Sequence, residues 1–336
     1  EAFSYGEYCG YYPLRDTLGR ILTAQGIPTH AEQLLITNGS QHAISLIVQS
    51  LLEPGDTVIV EQPTYAEALG LLRQHRINIV TVPSDRHGML VEQLPALIEK
   101  HQPKLIYTIP NFHNPTGRCM SEARRRRLLT LAQQAGLVIL EDDFGGDLLY
   151  IGKQLPSLRA LAQPGAVIYV STFSKMLLPS MRIGYLVADS EHYQRVARLK
   201  HVDSFTSSSL IQRALDAFVT IGRYEKQLRR TGRLYRQHRD VMVTALQQQL
   251  PPGCQFETPE GGLFIWLKLP AAVSTEALMP LAWRHGVTFA RGECFYAEEQ
   301  QGAHGLRLNF AANTPPQIEE GSARLCRAIN EVITSE

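Results

Sequence analysis

Between residues 34 and about 188, short apolar runs recur: "QLLITNG", "TVIVEQP", "INIVTVP", "KLIYTIP", "LVILEDD", "VIYVSTF" and "IGYLVA". They are rich in Ile and Val and lack polar alternation, the pattern of strands buried on both faces. Helical stretches such as "SQHAISLIVQSLL" and "SEARRRRLLTLAQQAG" separate several of them, the latter with Ser121 as an N-cap and Gly136 as a stop. The alternation predicts an α/β fold with a mostly parallel seven-stranded sheet flanked by helices. Ligands of such sheets bind beyond the carboxyl ends of the strands. The residues just after each run are therefore the candidates for a site.

After residue 205 the pattern changes. An Arg-rich helical stretch, "YEKQLRRTGRLYRQHRDVMVTALQQQL", precedes "GGLFIWLKL", "GVTFARG" and "GLRLNFA". This predicts a large domain over 1–205 and, over 206–336, a linking helix and a smaller α+β C-terminal domain. The length of 336 residues agrees, since single cores stop growing at about 250–300. The net charge of +1 supplies no global field for nucleic acid or membrane. Cys9, Cys119, Cys254, Cys294 and Cys326 are scattered without metal-ligand or redox spacing, so reduced thiols are expected and no metal. No run of about 18 apolar residues and no signal-peptide pattern occurs, which predicts a cytoplasmic protein. The abrupt start, "EAFSYGEYCGYYPLR", points to a missing upstream segment.

The strand ends are "NGSQ" at 38–41, "EQPTY" at 61–65, "PNFHNPTG" at 110–117, "EDDF" at 141–144 and "STFSK" at 171–175, with Arg182 just beyond. Gly39, Ser40 and Gln41 open a helix whose free N–H groups favour an anion. Thr172 and Ser174 offer hydroxyls, and Arg182 a charged fork. Tyr65 can stack on a ring. Asn114 can donate to a phenolate oxygen, and a carboxylate at Asp142 can keep a ring nitrogen protonated. Lys175 can form a Schiff base with an aldehyde once burial lowers its pKa. Singly, these are a helix cap, a turn, a core ring and solvated charges. In this order on successive strands they suit a phosphorylated heteroaromatic aldehyde, and pyridoxal 5'-phosphate is that molecule.

The chain resembles the fold-type I pyridoxal-phosphate family of class I/II aminotransferases over nearly its whole length. "NPTG", the "STFSK" run with Arg182 seven positions beyond the lysine, "PEGGLFIW" and "LRLNF" occur in the family's order. The resemblance implies a lysine aldimine at Lys175, ring-nitrogen pairing by Asp142, and a phosphate site of Gly39, Ser40, Gln41, Thr172, Ser174 and Arg182. It further implies that Tyr65 stacks, that Asn114 bonds the ring oxygen, and that Arg307 takes the substrate carboxylate as a bidentate fork. Tyr5 would reach a neighbouring subunit's phosphate, which implies a homodimer with shared sites. Two departures stand out. Phe144 occupies the place where the family usually has a tyrosine bonded to the phenolate, and the segment that normally closes over the substrate is absent from this sequence.

Two classes within the family compete. "ILEDDFGGDLLY", "YVSTFSKMLLPSMRIGYLV" and the Arg-rich stretch look more like the aminotransferase-like effector domain of MocR-type regulators of the GntR superfamily, which bind DNA through an upstream winged helix. The expectation is such a domain, forming an aldimine with an amino acid or amine effector. The alternative is a free-standing aminotransferase that moves an amino group between an amino acid and a 2-oxo acid. Arg124–Arg127 and Arg229, Arg230, Arg233, Arg236 and Arg239 are expected on solvated helix faces. No DNA-reading motif lies among them, so DNA would be bound only through the missing winged-helix domain.

Overall fold

The computed structural model describes residues 5–335. Each of the seven apolar runs is a strand: β1 (Leu34–Thr37), β2 (Thr57–Gln62), β3 (Asn78–Asp85), β5 (Leu105–Thr108), β6 (Val138–Asp143), β7 (Val167–Thr172) and β8 (Gly184–Val187), with a two-residue β4 (Gly88–Met89) hooked onto β3. The sheet order is β1-β8-β7-β6-β5-β2-β3-β4. From β3 through β2, β5, β6 and β7 the pairing is parallel, whereas β8 runs antiparallel to both β7 and β1. The reversal has a local cause. Helical crossovers link most of the parallel strands, but the short loop carrying Lys175 and Arg182 joins β7 directly to β8.

Burial on both faces is visible residue by residue. Val58, Val60, Leu105, Tyr107, Leu140, Ile168 and Val170 pack into one apolar cluster. Their strand neighbours Ile59, Ile106, Ile139 and Val167 pack into a second on the opposite face. Alternate side chains point to opposite faces, so both sides must be covered by helices.

The second sheet has the order β11 (Ala290–Arg291), β12 (Gly305–Asn309), β10 (Phe264–Lys268), β9 (Gln255–Phe256) and is antiparallel. It falls within the region expected to be α+β, after the helix Arg223–Gln249. Two of the arginines expected on solvated faces are buried instead. Arg125 is 0% exposed, its guanidinium donating to the carbonyls of Met120, Pro156 and Pro110 and to Asn111 Oδ1. Arg239 donates to the Pro259 carbonyl and lies over the Tyr150 ring. Loop carbonyls left over at strand ends need donors, and one guanidinium satisfies several. Among the described residues, no helix is long and apolar enough to cross a membrane.

One close approach fixes where the first helix of the sheet begins. Gly39 caps the helix Ser40–Leu51 at φ 89°, and a Cβ on Gly184 would lie 2.5 Å from the Gly39 carbonyl carbon. Gly184→Ala is therefore expected to push the helix start off β8 and to destabilise the fold by about 1–3 kcal/mol, the usual cost of overpacking. Urea unfolding with an unchanged m-value would register this as a lower midpoint.

Candidate active site

At the carboxyl ends of β6 and β7 lies a cavity of about 240 Å³, closed on one side by Phe264, Arg307 and Asn309 of the second sheet. Ser40, Gln41, Tyr65, Asn114, Asp142, Phe144, Thr172, Ser174, Lys175, Arg182 and Arg307 all line it. Of the residues expected here, Gly39 lies just behind the wall. Tyr5 lies elsewhere, 85% exposed and edge-on to Phe205 at 5.1 Å.

The floor is unusual in charge. Glu141, Asp142 and Asp143 end β6 and are all buried, at 0%, 2% and 8% exposure. "EDD" in isolation reads as solvated, but a strand in the middle of a covered sheet has no access to water. Each carboxylate is held differently. Glu141 accepts from the backbone N–H groups of Leu158 and Arg159, both at 2.8 Å. Asp143 accepts from Tyr169 Oη at 2.7 Å and Asn111 Nδ2 at 3.1 Å. Asp142 Oδ2 accepts from Tyr107 Oη at 2.9 Å, but its Oδ1 is buried without a partner. Burial pushes the Asp142 carboxyl up to about 7; the Tyr107 hydrogen bond opposes this, Asp143 adds to it and His113 opposes it.

The anion end is built on backbone and guanidinium. Arg182 Nη2 donates to the Asn38 carbonyl at 3.1 Å, and a Cβ on Gly39 would lie 2.7 Å from that nitrogen. Only glycine lets the guanidinium sit beside the helix start. Thr172 stands beside Ser174 in this wall. Its Oγ1 is 3.1 Å from the Ile183 carbonyl and 3.0 Å from Ser174 Oγ, so its one proton is spent within the wall. The Ser174 backbone N–H donates to Thr172 Oγ1 at 3.2 Å, so Thr172 orients Ser174, and at most one of the two hydroxyl protons is left for an anion. The Gln41 amide donates to the Glu67 carbonyl at 3.2 Å, leaving its backbone N–H for the anion.

Between these ends projects Lys175. Desolvation by the cavity walls lowers its pKa, Arg307 and Arg182 act in the same direction, and Glu67 opposes them. Arg307 lies between two rings, its guanidinium carbon 4.2 Å from the Phe264 centroid and 4.9 Å from that of Phe295. Its Nη1 donates to Asn114 Oδ1 at 2.7 Å, while its Nε is buried without a partner. This fixes the Asn114 amide with the oxygen on arginine and the NH2 free for another acceptor. Behind Asn114, His113 Nε2 lies 3.3 Å from Glu61 Oε2, which also accepts from Thr108 Oγ1 and the Ile109 N–H.

Sequence reasoning missed Tyr107, Glu67, Phe264 and Phe295. Tyr107 is the one aromatic residue in the run "KLIYTIP", and only the pairing of β5 with β6 gives it a role. Phe264 lay inside the quoted "PEGGLFIW" without a role. Glu67 and Phe295 had no signal, because the first reads as helix-start charge and the second comes from a distant loop.

The open oxygen of Asp142, the glycine-cradled guanidinium and the lysine between them fit pyridoxal phosphate, and with the sheet order they place the protein in the fold-type I pyridoxal-phosphate class. The sequence profile of aminotransferases class I and II matches residues 1–325, and the chain belongs to that family. Aromatic-amino-acid aminotransferase 1 of Thermococcus litoralis is 34% identical over 337 residues, covering 98% of this chain and 81% of its own. LysN, the α-aminoadipate aminotransferase of Thermus thermophilus, solved with N-(5'-phosphopyridoxyl)-L-leucine, superposes at a TM-score of 0.94 and 33% identity, over 100% of this chain and 85% of that one. The uncharacterized HTH-type transcriptional regulator YdfD of Bacillus subtilis is 31% identical over 333 residues, covering 99% of this chain but 68% of its own. The aminotransferases are thus the nearer relatives, against the expectation of a regulator domain.

Asp142 sets a pH dependence with a definite sign. Its folded pKa of about 7 lies above the ~3.9 of an unfolded aspartate. The protonated group therefore stabilises the cofactor-free protein below about pH 4, and this contribution is lost as pH rises to about 7. Asp142→Asn is expected to leave stability at pH 4 close to wild type and to raise it at pH 8 by up to about 4 kcal/mol, at 1.36 kcal/mol per unit. Urea unfolding of the cofactor-free proteins at the two pH values checks this, and the same variant should bind cofactor at least about tenfold more weakly, which a fluorescence titration would read.

Proposed function

We propose that the chain is an aminotransferase, carrying an amino group from an amino acid to a 2-oxo acid with pyridoxal phosphate held at Lys175. The observation that carries this reading is the buried, unpartnered Oδ1 of Asp142, placed in the same cavity as Lys175 and Arg182. When bound, the cofactor supplies an electron sink for the bonds at the substrate Cα. The residues do the rest. Asp142 Oδ1 keeps the proton on the ring nitrogen, and Tyr107 holds the carboxylate in place. Ser40 and Gln41 N–H groups, the Ser174 hydroxyl and Arg182 take the phosphate. Tyr65 covers one ring face, and Asn114 donates its amide N–H to the ring oxygen. Arg307 binds the α-carboxylate as a fork, with its planar face stacked on Phe264 and Phe295. Lys175 Nζ would hold the cofactor and, when free, would carry the Cα proton. Its lowered pKa serves that task, since a base works best near the ambient pH.

A second reading is the effector domain of a regulator. Phe144 favours it, because the cavity lacks a hydroxyl at that position, and the likeness to YdfD agrees. The nearer aminotransferase relatives favour the enzyme.

A homodimer completes the proposal. Tyr5, Val202 and Phe205 are exposed together at the end of the helix Ser190–Ser204, with Tyr5 and Val202 at 85% and 84%. Apolar side chains grouped in this way suit a second copy, whose phosphate site Tyr5 would reach.

Borohydride reduction and peptide mapping should place the pyridoxyl group on Lys175, and Lys175→Ala should lose the visible absorption of the loaded protein. With an amino acid and a 2-oxo acid supplied, turnover on the order of 1–1000 per second is expected. Spectral exchange with an amino acid but no release of 2-oxo acid would assign the chain to the regulator class. Sedimentation should show a dimer, and Tyr5→Phe should weaken cofactor binding about tenfold, in line with one hydrogen bond to a charged group.

A further inference from the structure

We infer that Glu67 selects the substrate side chain, favouring one that ends in a cation over one that ends in a carboxylate. The inference rests on the aminotransferase reading of this cavity and deepens it. An acid in the first turn of a helix, here Ala66–Gln74, ordinarily serves the helix dipole. Glu67 does more, because it also lines the cavity that holds Lys175 and Arg307. The Gln41 amide grips its carbonyl, which ties this helix start to that of Ser40–Leu51. Its charge favours the protonated forms of Tyr65, Lys175 and Arg307.

Charge balance gives the direction. Among the described residues that line the cavity, the cations are Lys175, Arg182 and Arg307, and the acids are Asp142 and Glu67. In the proposed complex Arg182 meets the phosphate, Arg307 the α-carboxylate and Asp142 the ring N–H, while Lys175 is engaged with the cofactor or carries the moving proton. Glu67 alone has no counter-charge. Its carboxylate oxygens face the cavity with their lone pairs open to a donor. A side chain ending in an ammonium supplies the missing charge, whereas a second carboxylate would meet Glu67 and find no free guanidinium among those lining residues. Glu67 is exposed at the mouth, so solvent moderates the effect, and a preference of about tenfold is expected rather than an absolute one.

The test uses three ligands with chains of similar length: L-lysine (cationic), L-norleucine (neutral) and L-2-aminoadipate (anionic). Each is titrated into the cofactor-loaded protein, and its dissociation constant is read from the change in visible absorption. The expected order of affinity is lysine, norleucine, 2-aminoadipate. Glu67→Gln should reduce the lysine-to-norleucine affinity ratio about tenfold, or 1.4 kcal/mol, and raise the 2-aminoadipate-to-norleucine ratio. Raised salt should narrow both ratios in the wild type. If all three ligands perturb the spectrum but the ratios do not change on substitution, the role of Glu67 is overturned while the aminotransferase reading stands. If none perturbs the spectrum of protein whose Lys175 carries the cofactor, that reading fails and this inference with it.

Discussion

The carboxylate of Asp142 has one oxygen held by Tyr107 and one held by nothing, and both are sealed inside the sheet. Most buried polar atoms find partners, so an open one is either costly or reserved. Here its neighbours Glu141 and Asp143 are fully provided for by backbone N–H groups, a tyrosine and an asparagine. The contrast within three consecutive residues shows that the fold can satisfy buried carboxylates and leaves this oxygen open. The architecture around it follows. β5 must lie beside β6 to deliver Tyr107, β7 on the other side to deliver Tyr169, and the sheet must be covered on both faces to keep water away.

Arg307 is the counterpart from the other sheet. On β12 it shares a face with Asn309, while Leu306 and Leu308 point into the core. Across the ladder, Phe264 pairs with Asn309 and lies diagonal to Arg307, which is how the ring comes to stack on the guanidinium. Desolvation on this scale lowers the arginine's pKa but leaves it charged. The hydrogen bond from Arg307 to Asn114 joins the second sheet to the loop after β5, so one contact would position both a carboxylate on the arginine and an acceptor on the asparagine amide.

Stability and function pull against each other at this floor. Glu141 is also pushed up to about 7 by burial, with Asp143 adding to it. Three acids in a row, each shifted toward the neutral form, penalise the cofactor-free fold as pH rises. A protonated ring nitrogen opposite Asp142 would offset part of that penalty, and cofactor binding and folding would then be coupled through one side chain.

The sequence by itself determined the seven strands of the large sheet, because runs of Ile and Val without polar alternation can only be strands buried on both faces. It also determined most of the cavity wall, because in such a sheet the residues after each strand share one edge. What it left undecided depended on contacts across long separations. Whether "EDD" was solvated or buried turned on the neighbours of β6, and Tyr107 gained a role only when β5 came to lie beside it. Arg125 and Arg239 read as surface charge because helical periodicity carries no information about loop carbonyls elsewhere in the chain that need donors. Thr172 and Ser174 looked equivalent until the fold set the Thr172 hydroxyl against both the Ile183 carbonyl, on the far side of the loop, and Ser174. Glu67 entered the cavity wall only when tertiary packing turned the start of its helix toward Lys175 and Arg307, because sequence position carries no information about which helix end faces which strand end.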